Sequence, residues 1–413
     1  MKPQYGHLGL NRVAVVVILL SFILIGEAAG RVPVSSGLPE NPLAGAVVFE
    51  QKGCGRCHAI WGSGGTLGPD LATVDQGWSV VEFAGVLWNH SPKMMEAMKE
   101  MKISRPQLTP EEMEALTAYL YYLNFFDRPG DASRGERLIS SKRCIECHAL
   151  GGRGGKIGPA LDKYGHYMSP IFLATAMWNH GPKIAEKLRE HRMAMPQLFG
   201  SDIADLLAYI NRAANGEAWR ATSMVTGSPR RGAELFREKR CVACHAVRGE
   251  GDHVGPDLAQ KRLPKKASAV AAIMWNHGPQ MWAKMAEHDI PIPIFADNEM
   301  ADIIAYLSFL GYSDEPGDPT RGRKVLRQKG CVRCHSIRGE GGGEGPDLAR
   351  SKGLNSSIGL VTAIWNHAPN MEAEFKKRGI AWPDFRSTEM ADLVAYLQRM
   401  RSQPPKEKRV GGG

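Results

Sequence analysis

The pentapeptide Cys54-Gly55-Arg56-Cys57-His58 constrains this chain more than any other feature, because it recurs three more times. The other copies are Cys144-Ile145-Glu146-Cys147-His148, Cys241-Val242-Ala243-Cys244-His245 and Cys331-Val332-Arg333-Cys334-His335. All 8 cysteines fall in these motifs, so no thiol is left for a structural disulfide or the second half of a zinc site. Two thiols one turn apart can add to the two vinyl groups of a haem, and the adjacent imidazole is then held beneath the iron. The spacing predicts four haem c groups, with His58, His148, His245 and His335 as proximal iron ligands.

The first cysteines lie 90, 97 and 90 residues apart, which marks an internal repeat. Inside each copy the offsets do not slip. A glycine precedes the first cysteine by nine residues (Gly45, Gly135, Gly232, Gly322) and a large apolar residue by five (Phe49, Ile139, Phe236, Leu326). Gly-Pro follows at Gly68-Pro69, Gly158-Pro159, Gly255-Pro256 and Gly345-Pro346. Trp-Asn-His follows at Trp88, Trp178, Trp275 and Trp365, and a tyrosine closes each copy at Tyr119, Tyr209, Tyr306 and Tyr396. The linkers after copies one and three resemble each other, and the middle connection at 216–229 is longer and unrelated. A duplicated two-haem unit is the simplest account.

Apolar residues at a period of 3.6 predict helices throughout, and no convincing strands are found. Ser201 and Asp297 are placed to cap the closing helices of copies two and three. The Gly-rich runs after the motifs, such as Gly62-Ser63-Gly64-Gly65 and Gly339-Glu340-Gly341-Gly342-Gly343, read as loops.

A chain of 413 residues has room for two to four domains, and 43% hydrophobic with 23% charged residues excludes a disordered or polytopic membrane chain. The net charge of +9 reads as compensation for haem propionates together with a solvated basic tail at 401–413, expected to be disordered. No basic patch interleaved with aromatics points to nucleic acid as a partner. Nucleotide loops, nucleophile elbows and His-Glu-x-x-His helices are absent, so a hydrolase, kinase or nicotinamide enzyme has no basis. The apolar run at 13–26, preceded by Lys2 and Arg12, suits a signal peptide within residues 1–30 and is short for a bilayer span; a retained N-terminal membrane anchor is the alternative. Either way the chain is expected to be periplasmic or otherwise extracytoplasmic, since such haems are attached after export.

With its helix before Cys-x-x-Cys-His, its Gly-Pro-x-Leu type loop and its closing Ala-Tyr-Leu or Ala-Tyr-Ile helix, each copy resembles a class I cytochrome c domain. The resemblance covers about residues 43–400. It implies an all-α chain of four tandem domains, at 43–127, 131–216, 229–312 and 318–400, arranged as two similar di-domain units after the N-terminal hydrophobic segment. It also implies that first and last helices cross near Gly45, Phe49 and Tyr119 and their counterparts, and that Pro69, Pro159, Pro256 and Pro346 offer carbonyls that orient the proximal histidines.

The sixth iron ligand departs from the family. The usual methionine before proline occurs only at Met195-Pro196, and Arg105, Ile292 and Trp382 hold that position elsewhere. Two donors stand upstream on one helical segment: His90, His180, His277 and His367, and four residues later Met94, Met281 and Met371, with Ile184 in copy two. The recurrence of histidine in all four copies favours it as distal ligand, against the reading of a polar residue beside a kink; methionine at helical spacing is commonly core. The proline between them, such as Pro92, is expected to kink the helix or start a new turn. The tryptophans read either as walls beside the porphyrin or as core.

Function follows from this as expectation: a multihaem electron carrier between an exported or membrane-bound redox donor and acceptor, neither identified. A peroxidase-like haem enzyme with one open distal side is the rival, to be sought in copy two, where Ala160 replaces Asp70, Asp257 and Asp347. An electron-transfer subunit of a larger membrane oxidoreductase is the third reading.

Overall fold

Each repeat builds three α-helices among the described residues, with the haem motif on the turn between the first and second. The structure is a computed structural model and describes residues 37–74, 78–165, 169–214, 226–261, 263–296, 298–313, 316–354, 356–386 and 388–403. The expected signal or anchor at 1–30, the Asp297 cap and residues 404–413 of the tail lie outside the described residues. No described helix is long and apolar enough to cross a membrane. Domain 1 holds α1 (Gly45–Gln51), α2 (Val80–Glu100) and α3 (Pro110–Tyr122); domain 2 holds α4 (Ala132–Ser141), α5 (Pro170–Glu190) and α6 (Asp202–Ala213). Domain 3 holds α7 (Pro229–Glu238), α8 (Ala267–Glu287) and α9 (Glu299–Ser308); domain 4 holds α10 (Pro319–Gln328), α11 (Ser357–Lys377) and α12 (Glu389–Ser402).

The invariant glycine is where first and last helices touch. A Cβ on Gly45 would collide with the Ala115 carbonyl, and one on Gly135, Gly232 or Gly322 with the carbonyl of Asp205, Asp302 or Asp392. One turn on, Phe49 meets Tyr119 edge-on at 6.2 Å and Phe236 meets Tyr306 at 5.5 Å. Ser201 does not cap its helix by side chain: its hydroxyl donates to Asp205 at 2.9 Å, and Asp202 accepts the Phe199 N–H. The Gly-rich loops also differ from expectation, since two-residue antiparallel pairs join Ala59–Ile60 to Ser63–Gly64, Ala149–Leu150 to Arg153–Gly154 and Ser336–Ile337 to Glu340–Gly341.

The middle helices do not start a new turn at their prolines. They run unbroken through Pro92, Pro182, Pro279 and Pro369. A proline frees the carbonyl four residues before it, and packing between domains keeps the helix in place. At Pro92 that carbonyl belongs to Trp88, and it accepts the indole N–H of Trp382 in domain 4 at 3.1 Å.

The large helix contacts between domains set α2 against α11 and α5 against α8. Domains 1 and 4 therefore pair, as do 2 and 3, and the consecutive di-domains suggested by the linkers are not the packed pairs. The face that must be buried lies on the middle helices, and short linkers do not oblige neighbours in sequence to bury it together. Domains 1 and 3 also meet, each capping the other's middle helix. The first N–H of α2, from Val80, donates to the Tyr312 carbonyl at 3.1 Å. Lys266 cannot cap α8, and Asp127 of domain 1 accepts Ser268 N–H there at 3.0 Å. Tyr121 and Tyr122 complete this contact by bonding Ser308 O and Gly227 N, each at 3.0 Å.

Candidate functional site

The turn that carries the haem motif is set up by its preceding residue. Gly53, Arg143, Arg240 and Gly330 take the left-handed conformation, with φ of 73°, 61°, 61° and 76°. The chain then closes a 3₁₀ turn over Cys54–Arg56 and its counterparts, and His58 N–H bonds the Cys54 carbonyl at 3.1 Å. Both thiols and the imidazole thus issue from one turn. All eight cysteines are half-buried, and none is in a disulfide. Burial pushes the first thiol of each pair up, to about 11 for Cys54, Cys144 and Cys331 and about 12 for Cys241, so these groups are neutral thiols at ordinary pH.

The imidazoles are held from behind in the same way four times. Nδ1 lies 3.1 Å from the Pro69 carbonyl in His58, 2.9 Å from Pro159 in His148, 3.1 Å from Pro256 in His245 and 3.0 Å from Pro346 in His335. The glycine before each proline packs against the ring, where a Cβ would collide with it. A carbonyl on Nδ1 fixes the tautomer whose Nε2 is bare, the form that binds a metal. Two cysteine sulfurs and a pre-oriented imidazole on one turn fit a covalent haem. Buried donors lacking a partner within the chain occur at the contacts between paired domains, at Arg105 Nε and Nη1 and at Trp282 Nε1.

His90, His180, His277 and His367 lie on the exposed side of the middle helices. In His90 and His277, Nδ1 bonds the carbonyl of the residue four before, Val86 or Ile273, at 2.9 Å. Met94, Met281, Met371 and Met195 are half-buried against the core. No cluster of three or more His, Cys, Asp or Glu side chains suited to a metal ion occurs among the described residues.

The Trp of each Trp-Asn is buried in the hydrophobic core, and its indole N–H, with the asparagine beside it, reaches across to the paired domain. Trp88 donates to the Pro383 carbonyl, Trp365 to Pro106, Trp178 to Pro293 and Trp275 to Pro196, the last three at 2.8 Å and every bond between paired domains. The asparagines grip the backbone two residues further on: Asn89 with Phe385, Asn366 with Leu108, Asn179 with Phe295 and Asn276 with Leu198, donating and accepting in each case. The segment around Met195-Pro196 is one of these receiving segments.

Sequence reasoning missed a lysine two residues before each first cysteine. Lys52, Lys142, Lys239 and Lys329 bond the carbonyls of Gln107, Gln197, Ile294 and Asp384, so each opening helix is tied to the segment that receives the partner domain. Recurrence in all four copies was the signal. Met101 was also missed; its sulfur is 3.7 Å from Cys57 Sγ, and His191, His288 and Arg378 hold that position elsewhere.

Four small helical bundles, each presenting a Cys-x-x-Cys-His turn with a braced imidazole, define a covalent multihaem protein. The cytochrome c family matches residues 43–124, 132–214, 229–310 and 319–401, and the chain belongs to that family. It carries four haem c, one on each cysteine pair, and haem-based electron transfer is what such domains do. No curated protein and no solved structure matches the chain.

Proposed function

We propose that this chain is an exported tetrahaem electron carrier, passing electrons between periplasmic or membrane-bound redox proteins, with His58, His148, His245 and His335 as proximal ligands. The observation that carries the reading is uniformity: the same imidazole, carbonyl and glycine arrangement recurs four times within 0.2 Å in its bond length. A carrier needs little ligand rearrangement at any haem and no substrate pocket, so its centres can be copies. The odd features of domain 2 do not make a special site. Where Asp70, Asp257 and Asp347 brace the turn after the motif, domain 2 uses Asp162 two residues beyond Ala160, bonding Gly151 N–H at 3.0 Å.

For the distal side we keep His90, His180, His277 and His367 as the proposed ligands, supported by the back-bonded Nδ1 of His90 and His277, which leaves Nε2 bare. The methionines are the competing donors, and the choice matters because methionine ligation raises the potential and two histidines lower it. The experiment is optical and magnetic circular dichroism spectroscopy of the oxidised protein with carbon monoxide titration of the reduced form. Low-spin haems that ignore carbon monoxide are expected of a carrier; a full-intensity far-red sulfur-to-iron band overturns the histidine assignment. A high-spin haem that binds carbon monoxide and consumes peroxide overturns the carrier reading.

A further inference from the structure

We infer that electrons cross this molecule in the order domain 4, domain 1, domain 3, domain 2, so that domains 4 and 2 are its terminals and haems 1 and 3 form the bridge. This rests on the carrier reading above. It does not follow the chain, in which domain 2 separates 1 from 3. The spatial order follows from the interfaces, in which α2 lies on α11, α5 lies on α8, and Val80, Tyr121 and Asp127 of domain 1 bond Tyr312, Ser308 and Ser268 of domain 3.

What distinguishes the contact between domains 1 and 3 is its aim. Trp61 stands three residues after His58, on the turn that continues from that imidazole. Its ring meets Phe126 at 5.5 Å, Phe126 meets Tyr122 at 5.0 Å, and Tyr122 meets Phe309 of domain 3 at 5.9 Å. Next to Phe309, the Leu310 carbonyl accepts a bond of 3.0 Å from Arg248, which stands three residues after His245. An unbroken run of ring contacts, backbone and one hydrogen bond therefore joins the turn behind haem 1 to the turn behind haem 3. Closely packed atoms couple donor and acceptor better than solvent does, and this is the packed crossing between the two pairs. The step is a one-electron exchange, ferrous haem 1 being oxidised as ferric haem 3 is reduced, with no bond made or broken.

The test uses the fully loaded chain carrying a ruthenium photosensitiser on Lys324→Cys, an exposed position of α10 in domain 4. Repeated flashes fill haems from that end, and the fast amplitude of the haem absorption counts them. With haem 1 removed by Cys54→Ala and Cys57→Ala, only haem 4 should fill quickly; with haem 2 removed by Cys144→Ala and Cys147→Ala, the remaining three should all fill. Transfer along the chain order predicts the reverse, haems 4, 3 and 2 filling in the first variant and only 4 and 3 in the second, and that outcome overturns the proposal. Should a domain lacking its haem fail to fold, Trp61→Leu with Phe126→Leu in the four-haem protein gives a second readout. The fast phase should then stop at two haems with midpoint potentials unchanged, and filling of all four at the original rate refutes the crossing. If no haem of the unaltered protein fills, it is the carrier reading that fails.

Discussion

Asn276→Ala tests the pairing of domains at its smallest element. The side chain accepts Leu198 N–H at 2.9 Å and donates to Leu198 C=O at 2.7 Å, across the boundary between domains 3 and 2. Leu198 is 4% exposed, so water cannot readily replace the lost partner. Two backbone groups are orphaned together, at about 1–3 kcal/mol for each, and partial relaxation brings the expected loss to about 2–4 kcal/mol. Denaturant unfolding of the four-haem protein, followed by far-ultraviolet circular dichroism, measures it as a lower midpoint at unchanged slope. Asn276→Asp is the informative companion: it still accepts from Leu198 N–H, but at neutral pH it sets a carboxylate oxygen against Leu198 C=O. That variant should be at least as unstable at neutral pH and recover in acid, where the protonated carboxyl can donate. Asn366→Ala removes the same two bonds between domains 4 and 1, and its loss should add to that of Asn276→Ala to within about 0.5 kcal/mol if the pairs are independent. A loss from Asn276→Ala below about 0.5 kcal/mol, the range of inert surface changes, would refute the reasoning.

Trp382→Leu removes a stack on Trp88 at 4.2 Å and the donor to the carbonyl that Pro92 leaves free; about 2–4 kcal/mol should be lost in the same unfolding assay. Gly181→Ala drives a methyl into the Trp282 ring and should cost about 1–3 kcal/mol, with Trp282→Leu added in the same chain relieving the clash, as thermal melts would show. The Arg321 guanidinium, with Nε at 2.8 Å and Nη2 at 2.9 Å, holds the Asp392 carboxyl below its ordinary value of 3.8. A depressed carboxyl contributes stability that is whole above that value and is lost as pH falls below it, so Arg321→Met should flatten the acid limb of a stability-against-pH curve and leave its slope near neutrality unchanged. Cys331→Ala with Cys334→Ala should lower the intact mass by one haem, and retention of all four would break the assignment of one group to each cysteine pair.

The haem turn was legible in the sequence because its requirements are local. Two cysteines, a histidine and a Gly-Pro at fixed offsets specify a turn, a ring and a carbonyl to brace it, and none of these needs a partner far along the chain. The helix crossing at Gly45 and Tyr119 joins residues far apart in sequence and was expected only from the resemblance to the cytochrome c family. The role of Trp-Asn was not legible, because its partners Pro383, Phe385, Pro106 and Leu108 are more than 250 residues away in sequence. A tryptophan beside a histidine in a haem domain suggests a porphyrin wall or core packing, and neither reading names the second domain it bonds. Pro92 likewise has a partner that the sequence does not reveal. Within one helix it is a breaker, and only a donor from another domain, Trp382, makes its orphaned carbonyl an asset.

Four copies of one self-complementary face raise the question of why each finds a particular mate. Trp-Asn and its receiving Pro-x-Leu or Pro-x-Phe segment are common to all domains, so they hold any pair and choose none. The choice lies in the residues that differ. In the pair of domains 1 and 4, Trp382 stacks on Trp88, and Arg105 lies over Trp365 at 3.8 Å while bonding Ser91. In the pair of domains 2 and 3, Trp282 occupies space that Gly181 and Gly278 leave open, while Ser91 and Ala368 stand at the matching positions of the other pair. Exchanging mates would set Trp282 against a side chain that has no room for it and strip Arg105 and Trp382 of their stacking partners. Discrimination between similar faces is a difference of affinities, and a clash in the wrong pair serves it as well as a contact in the right one. Two of the substitutions that look like drift away from the family's sixth-ligand position, Arg105 and Trp382, therefore help to specify which domains meet.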